Sequence, residues 1–190
     1  MQECFTVVVK GRELPAVVAR QKRRSLRLRL SPQGEIHIEA PLGLSMRKIK
    51  AFAEDKHSWL ARQLDIAARS TYLPALSPSE VMHLKQELLS EAAPFYMEIR
   101  SRYWPETPRR LQARAQKTRW GSCSSSGTIS LNVYLMLLPK ELREYVYLHE
   151  LCHLRHPHHQ AEFWSDLAIL CPDYQARQKT LKFYRLPDAP

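Results

Sequence analysis

The chain has no apolar run approaching the ~20 residues needed to cross a bilayer, so no membrane partner is expected. Residues 1–10 include Glu3 and no long apolar stretch, which argues against a secretion signal there. Cysteine is sparse and scattered, at Cys4, Cys123, Cys152 and Cys171, with no C-x-x-C pair. That spacing suggests neither a disulfide framework nor a thiolate zinc site. Free thiols fit a reducing compartment, and a cytoplasmic protein is the expectation. Neither G-x-G-x-x-G nor G-x-x-x-x-G-K-[ST] occurs, so dinucleotide and P-loop chemistry have no support. Repeats and low-complexity tracts are absent as well.

What is present is an ordinary globular composition, 44% hydrophobic and 25% charged, over 190 residues. That length suffices for one good core or two small ones. The 29 basic and 19 acidic residues give a formal charge of +10, which makes nucleic acid a second candidate partner. The cluster Arg20, Lys22, Arg23, Arg24, Arg27 and Arg29 has no interleaved aromatics to stack bases, and a solvated sheet face is the stronger reading of it.

Alternation predicts β structure over residues 4–40. Phe5, Val7 and Val9 alternate with polar neighbours. Ala16, Val17 and Val18 follow the Gly11 turn, and Leu26, Leu28 and Leu30 alternate with Arg27 and Arg29. Ser31-Pro32-Gln33-Gly34 signals a turn before Ile36 and Ile38. These segments predict an antiparallel meander. Ser45 is placed to cap a helix over 46–68. The proline-rich stretch 71–78 is the best boundary, separating a β-rich region at 1–72 from a domain at 79–190. In the second region a helix follows Ser79, kinked or broken at Pro94. Strands at 110–118 and 129–135 then flank turn residues and are expected to pair as a β hairpin.

The stretch 145–164 holds five of the eight histidines. His149-Glu150-Leu151-Cys152-His153 is an H-E-x-x-H box. Residues four apart share a helix face, so His149 and His153 can grip one metal ion with Glu150 beside it as general base. Pro139, Glu141 and Glu144 suit a helix start and Pro157 a helix end. A catalytic zinc needs a third protein ligand and a free position. His159, past the turn at His156-Pro157, ranks first, followed by Glu162 and His158. His156 is expected to be solvated at the helix end. Metzincins carry glycine where this chain has His156, and no methionine follows Met136 to make their Met-turn.

Several further motifs accompany the box: K-T-R-W-G-S-C-S at 117–124, I-S-L-N at 129–132, P-x-x-x-x-x-Y-V at 139–146, H-E-L-C-H-L at 149–154 and Phe163-Trp164. With Arg23-Arg24-Ser25 and the alternating leucines after it, the chain resembles the YgjP-like predicted metal-dependent hydrolases, relatives of the SprT-like zinc peptidases. The resemblance covers most of the chain. It implies a zincin-like metallopeptidase domain, which with the N-terminal antiparallel meander and helix read above makes an α+β protein. It implies one Zn²⁺ held by His149, His153 and His159, Glu150 as the catalytic glutamate, and a protein or peptide substrate. Where members often have Asn-His-Ser, this chain has His158-His159-Gln160. The resemblance gives Arg119-Trp120-Gly121-Ser122-Cys123 no chemical role. Gly121 is expected to allow a tight backbone path near the site. The oligomeric state is left open.

Overall fold

A computed structural model describes residues 3–31, 33–102 and 104–187. The chain divides into two compact units, Met1–Ser70 and Thr71–Pro190, and is a mixed α+β protein. Among the described residues no helix is long and apolar enough to cross a membrane.

In the first unit, strands β1 (Glu3–Val9), β2 (Arg12–Gln21), β3 (Arg27–Leu30) and β4 (Ile36–Pro41) precede helices α1 (Met46–Asp55) and α2 (His57–Arg69). Period-2 alternation puts Val7, Val9, Leu14, Ala16, Val18, Ile36, Ile38 and Ala40 on one face, where they form a core with Ile49, Ala53 and Leu60 of the helices. The expected meander is corrected. The strand order is β1-β2-β4-β3. β1 and β2 pair antiparallel, as do β3 and β4, but β2 and β4 run parallel. β4 lies inside the sheet with its inward residues fully buried, and the edge suits β3, whose Leu28 and Leu30 are only half-buried.

The turn over residues 31–35 is closed by Ser31 N–H donating to the Glu35 carbonyl at 2.8 Å, Pro32 lying outside the described residues. The single helix expected over 46–68 is two, broken at Lys56, and Ser45 makes no side-chain cap. Much of the basic cluster is paired: Arg23 and Arg29 both reach Glu39, and Arg20 bonds Glu3.

The second unit begins with β5 (Thr71–Tyr72), which pairs in parallel with β9 (Tyr184–Arg185). Between them lie α3 (Pro78–Arg102), β6 (Arg110–Arg114), β7 (Gly121–Cys123), β8 (Thr128–Asn132), α4 (Lys140–Cys152), α5 (Ala161–Leu170) and α6 (Tyr174–Leu181). α3 runs through Pro94 unbroken, and Ser77 rather than Ser79 closes its first turn by bonding Glu80. The expected pairing of 110–118 with 129–135 is also corrected: β6 joins β8 in parallel, and the hairpin partner of β8 is the short β7. The β7–β8 turn has Gly127 at φ +78°, a conformation natural only to glycine. The predicted strand at 129–135 stops at Asn132, whose side chain accepts from Tyr134 N–H and starts a turn of 3₁₀ helix over Val133–Leu137.

α4 is the central element of this unit. Leu142, Tyr145, Val146, Tyr147, Leu148, Leu151 and Cys152 are all buried, so it is apolar on nearly every side. It is tied to α3 by polar contacts. Arg143 clasps Glu91 at 2.8 and 3.0 Å, Tyr147 donates to Glu91 at 3.1 Å, and Tyr96 donates to the Tyr147 carbonyl at 3.1 Å. β7 also packs against α4. A helix this confined on all sides holds its side chains in fixed directions, which a catalytic constellation requires.

Candidate metal centre

The end of α4 brings three imidazoles together. His149 lies in its last turn, and His153, still in helical conformation, caps it. The chain turns at residues 156–158, and His159 returns to the same point. His149 Nε2 and His159 Nε2 stand 3.0 Å apart, and one donor atom from each of His149, His153 and His159 lies within 4.8 Å of the others. Nitrogens bound about 2.0–2.1 Å from a tetrahedral ion are separated by roughly 3.3 Å, so the cluster fits a single metal ion. Burial, with His153 and His159 adding repulsion, pushes the His149 imidazole down to about 3. His159 is shifted down too, mainly by burial. Both rings therefore favour the neutral form that ligates metals.

The surroundings fix these rings. His153 Nδ1 donates to the His156 carbonyl at 2.9 Å, which leaves its Nε2 free to ligate. Trp164 of α5 donates to the His159 carbonyl at 3.2 Å and stacks on the His159 ring, and Tyr174 of α6 stacks on the indole in turn. Phe163 packs against all three histidines. His156 is not a solvated helix-end residue. It is half-buried with Nε2 2.7 Å from Asp166, and Asp166 also holds Arg155 at 3.1 Å. Glu162 and His158, the other two candidate ligands, are exposed and stand outside the cluster.

Glu150 points toward β7 and is only 6% exposed. Burial pushes its carboxyl up to about 8, with the Arg119 guanidinium pulling the other way. The three histidines and Glu150 line one cleft of about 380 Å³ with Arg119 and Ser122. The role of Gly121 is steric. A Cβ there would fall 2.7 Å from both Cγ and Oε1 of Glu150, so the carboxylate lies directly on bare backbone.

Asn132, fully buried, explains the I-S-L-N motif. Its Nδ2 donates to the carbonyls of Gln116 and Arg119 at 2.9 and 2.8 Å, and its Oδ1 accepts from Gln116 N–H at 3.3 Å. Its own N–H donates to the Trp120 carbonyl at 2.9 Å. One side chain thus anchors the loop entering β7. Asn132→Ala strands several buried groups at about 1–3 kcal/mol each. A loss of about 2–3 kcal/mol is expected, read as a lower urea midpoint at unchanged slope. Asn132→Asp, the same size but without the donors, is expected to behave alike. A midpoint unmoved in both variants would remove this role from Asn132.

Three imidazoles that could hold a metal ion thus meet at the end of a buried helix, with a buried carboxylate in the same cleft. Residues 80–184, more than half of the chain, match the family model described as YgjP-like, metallopeptidase domain. The chain belongs to the YgjP-like family and is a metal-dependent hydrolase of the metallopeptidase kind. Among solved structures, it is similar to the metallopeptidase zymogen abylysin of Pyrococcus abyssi, with 23% identity, 54% of this chain and 98% of that one covered, and a TM-score of 0.38. It is also similar to the metallopeptidase zymogen jannalysin of Methanocaldococcus jannaschii, with 20% identity, 53% and 95% covered, and a TM-score of 0.34. No curated protein matches the chain.

Proposed function

We propose that the protein is a zinc peptidase in which His149, His153 and His159 hold one ion and Glu150 is the general base that hydrolyses amide bonds. The observation that carries this reading is the convergence of the three imidazole donors within 4.8 Å, with Glu150 in the same cleft. The donor set supports zinc. Neutral imidazoles suit that ion, and three protein ligands suit a catalytic site, which keeps one position free, better than a structural site closed by four. Zinc, when bound, supplies Lewis acidity toward the scissile carbonyl and acidifies the attacking water. Glu150 takes the proton from that water and delivers it to the leaving amine. Burial raises its basicity toward neutral pH, which suits both transfers. Phe163 and Trp164 keep the ligand rings in place and shield them on one side.

Metal content measured on protein purified from zinc-replete medium tests this directly. About one zinc per chain is expected in the wild type and almost none in His149→Ala, since removing one of three ligands leaves too weak a site. Glu150→Gln is expected to keep its zinc and lose about 10²–10⁴-fold in peptide hydrolysis. A wild type free of zinc under these conditions would sink the reading.

A further inference from the structure

Arg119 lines the cleft together with Glu150 but makes no ion pair with it among the described residues. The arginines of this unit that brace the fold are paired with carboxylates: Arg143 with Glu91, Arg155 with Glu106 and Asp166, Arg177 with Asp173. The Arg119 side chain is exposed and makes no hydrogen bond or ion pair among the described residues, although its carbonyl is fixed by Asn132 at 2.8 Å. The backbone is thus positioned while the guanidinium is left available. Glu150 is the one carboxylate lining the cleft among the described residues, and it is buried against Gly121. The rest of that wall offers hydroxyls. Ser124 is occupied, accepting from Thr128 N–H at 3.0 Å, while Ser122 and Ser125 make no side-chain hydrogen bond among the described residues.

A guanidinium lining the same cleft as a bound dication would repel it, and an anion between them would turn the arrangement into an attractive one. A peptide can supply that anion as a carboxylate, which a guanidinium binds through two parallel hydrogen bonds.

We propose that Arg119, with the hydroxyls of Ser122 and Ser125, forms a subsite for a peptide carboxylate next to the scissile bond, so that the substrates are acidic at that position. This rests on the zinc reading above. The carboxylate is either an acidic side chain or a chain terminus.

Three hydroxamate-capped dipeptides distinguish these sources: one with aspartate and an amidated end, one with asparagine and an amidated end, and one with asparagine and a free C-terminal carboxylate. Their dissociation constants are measured by calorimetry on zinc-loaded protein whose metal content is determined in the same samples. One carboxylate probe is expected to bind the wild type at least about tenfold tighter than the neutral probe, a ratio typical of a charge-assisted pair. The aspartate probe winning assigns a side-chain subsite, and the free-acid probe winning assigns a chain-end subsite. In Arg119→Gln the ratio is expected to fall to about one, and in Arg119→Glu to drop below it, with zinc content unchanged in both. A wild type that binds all three probes equally overturns the subsite and leaves the zinc reading standing. So does a preference that survives in Arg119→Gln. A wild type with no zinc and no affinity for any probe takes down the zinc reading and the subsite with it.

Discussion

Replacing Gly121 by alanine is expected to leave the metal ligands intact and remove most of the turnover. The added methyl would fall 2.7 Å from Cγ and Oε1 of Glu150, a separation at which one side must move. The side that yields is the end of the Glu150 side chain, which lines the cleft, and not the strand. Glu150 is buried between α4 and β7, and β7 is held in register by pairing Gly121 with Leu131 and by the Asn132 anchor behind it. The carboxylate is therefore pushed off its position, and a misplacement of about 1 Å in a reacting group costs about 10²-fold in rate. Overpacking adds a destabilisation of about 1–3 kcal/mol. Gly43 is the matched control: a methyl added there would meet nothing within 4 Å, its φ is ordinary, and its alanine variant is expected to be neutral. The comparison is made on zinc content and on hydrolysis of a peptide mixture followed by mass spectrometry. Turnover in Gly121→Ala within a few-fold of the wild type would show that the glycine is not what seats the carboxylate.

The second large effect is on stability and concerns the metal-free protein. The Glu150 carboxyl moves from its ordinary value of 4.5 up to about 8 on folding, because burial penalises the charge. The folded state then binds the proton more tightly than the unfolded one. This contribution is fully present below pH 4.5 and is lost as pH rises through about 8. At about 1.4 kcal/mol per unit, the loss by pH 9 is on the order of 4–5 kcal/mol. Glutamine at this position has the same shape and no charge to bury. Chelator-treated Glu150→Gln is therefore expected to melt close to the wild type near pH 4 and about 10 °C above it at pH 9. The His149 imidazole, held down near 3, has the opposite pH dependence, but it is common to both proteins and cancels in the comparison. Zinc is expected to narrow the gap, since a nearby dication stabilises the carboxylate. Parallel melting curves across this pH range would contradict the account.

The chemistry of the centre was more legible in the sequence than its framing. His149, Glu150 and His153 are fixed relative to one another by helical period alone, and Pro157 marked where the chain had to leave the helix. Ranking His159 first followed from that turn, and the structure brings its ring to the other two. Strand partners were less legible, because alternation shows that a segment is a strand and says nothing about its neighbour. The parallel pairings of β2 with β4 and β6 with β8 depend on which inner faces are wholly buried, a property of the assembled sheet. The brevity of β7 hid it altogether: Gly121, Ser122 and Cys123 carry no apolar alternation and read as turn. The roles of Trp164 and Asp166 were hidden for a related reason, since an indole and a carboxylate on an amphipathic helix look like ordinary core and surface residues. Phe163-Trp164 as a motif was the available signal, and only the fold shows its indole lying on the His159 ring.

Asn132 has a consequence for how this cleft can move. With one amide it holds the loop that carries Arg119, and with its carbonyl oxygen it starts the 3₁₀ turn leading to α4, which bears His149 and Glu150. The rim and the floor are thus mortised to a single post. Swinging the rim alone would tear that joint, so rim and floor shift together or not at all.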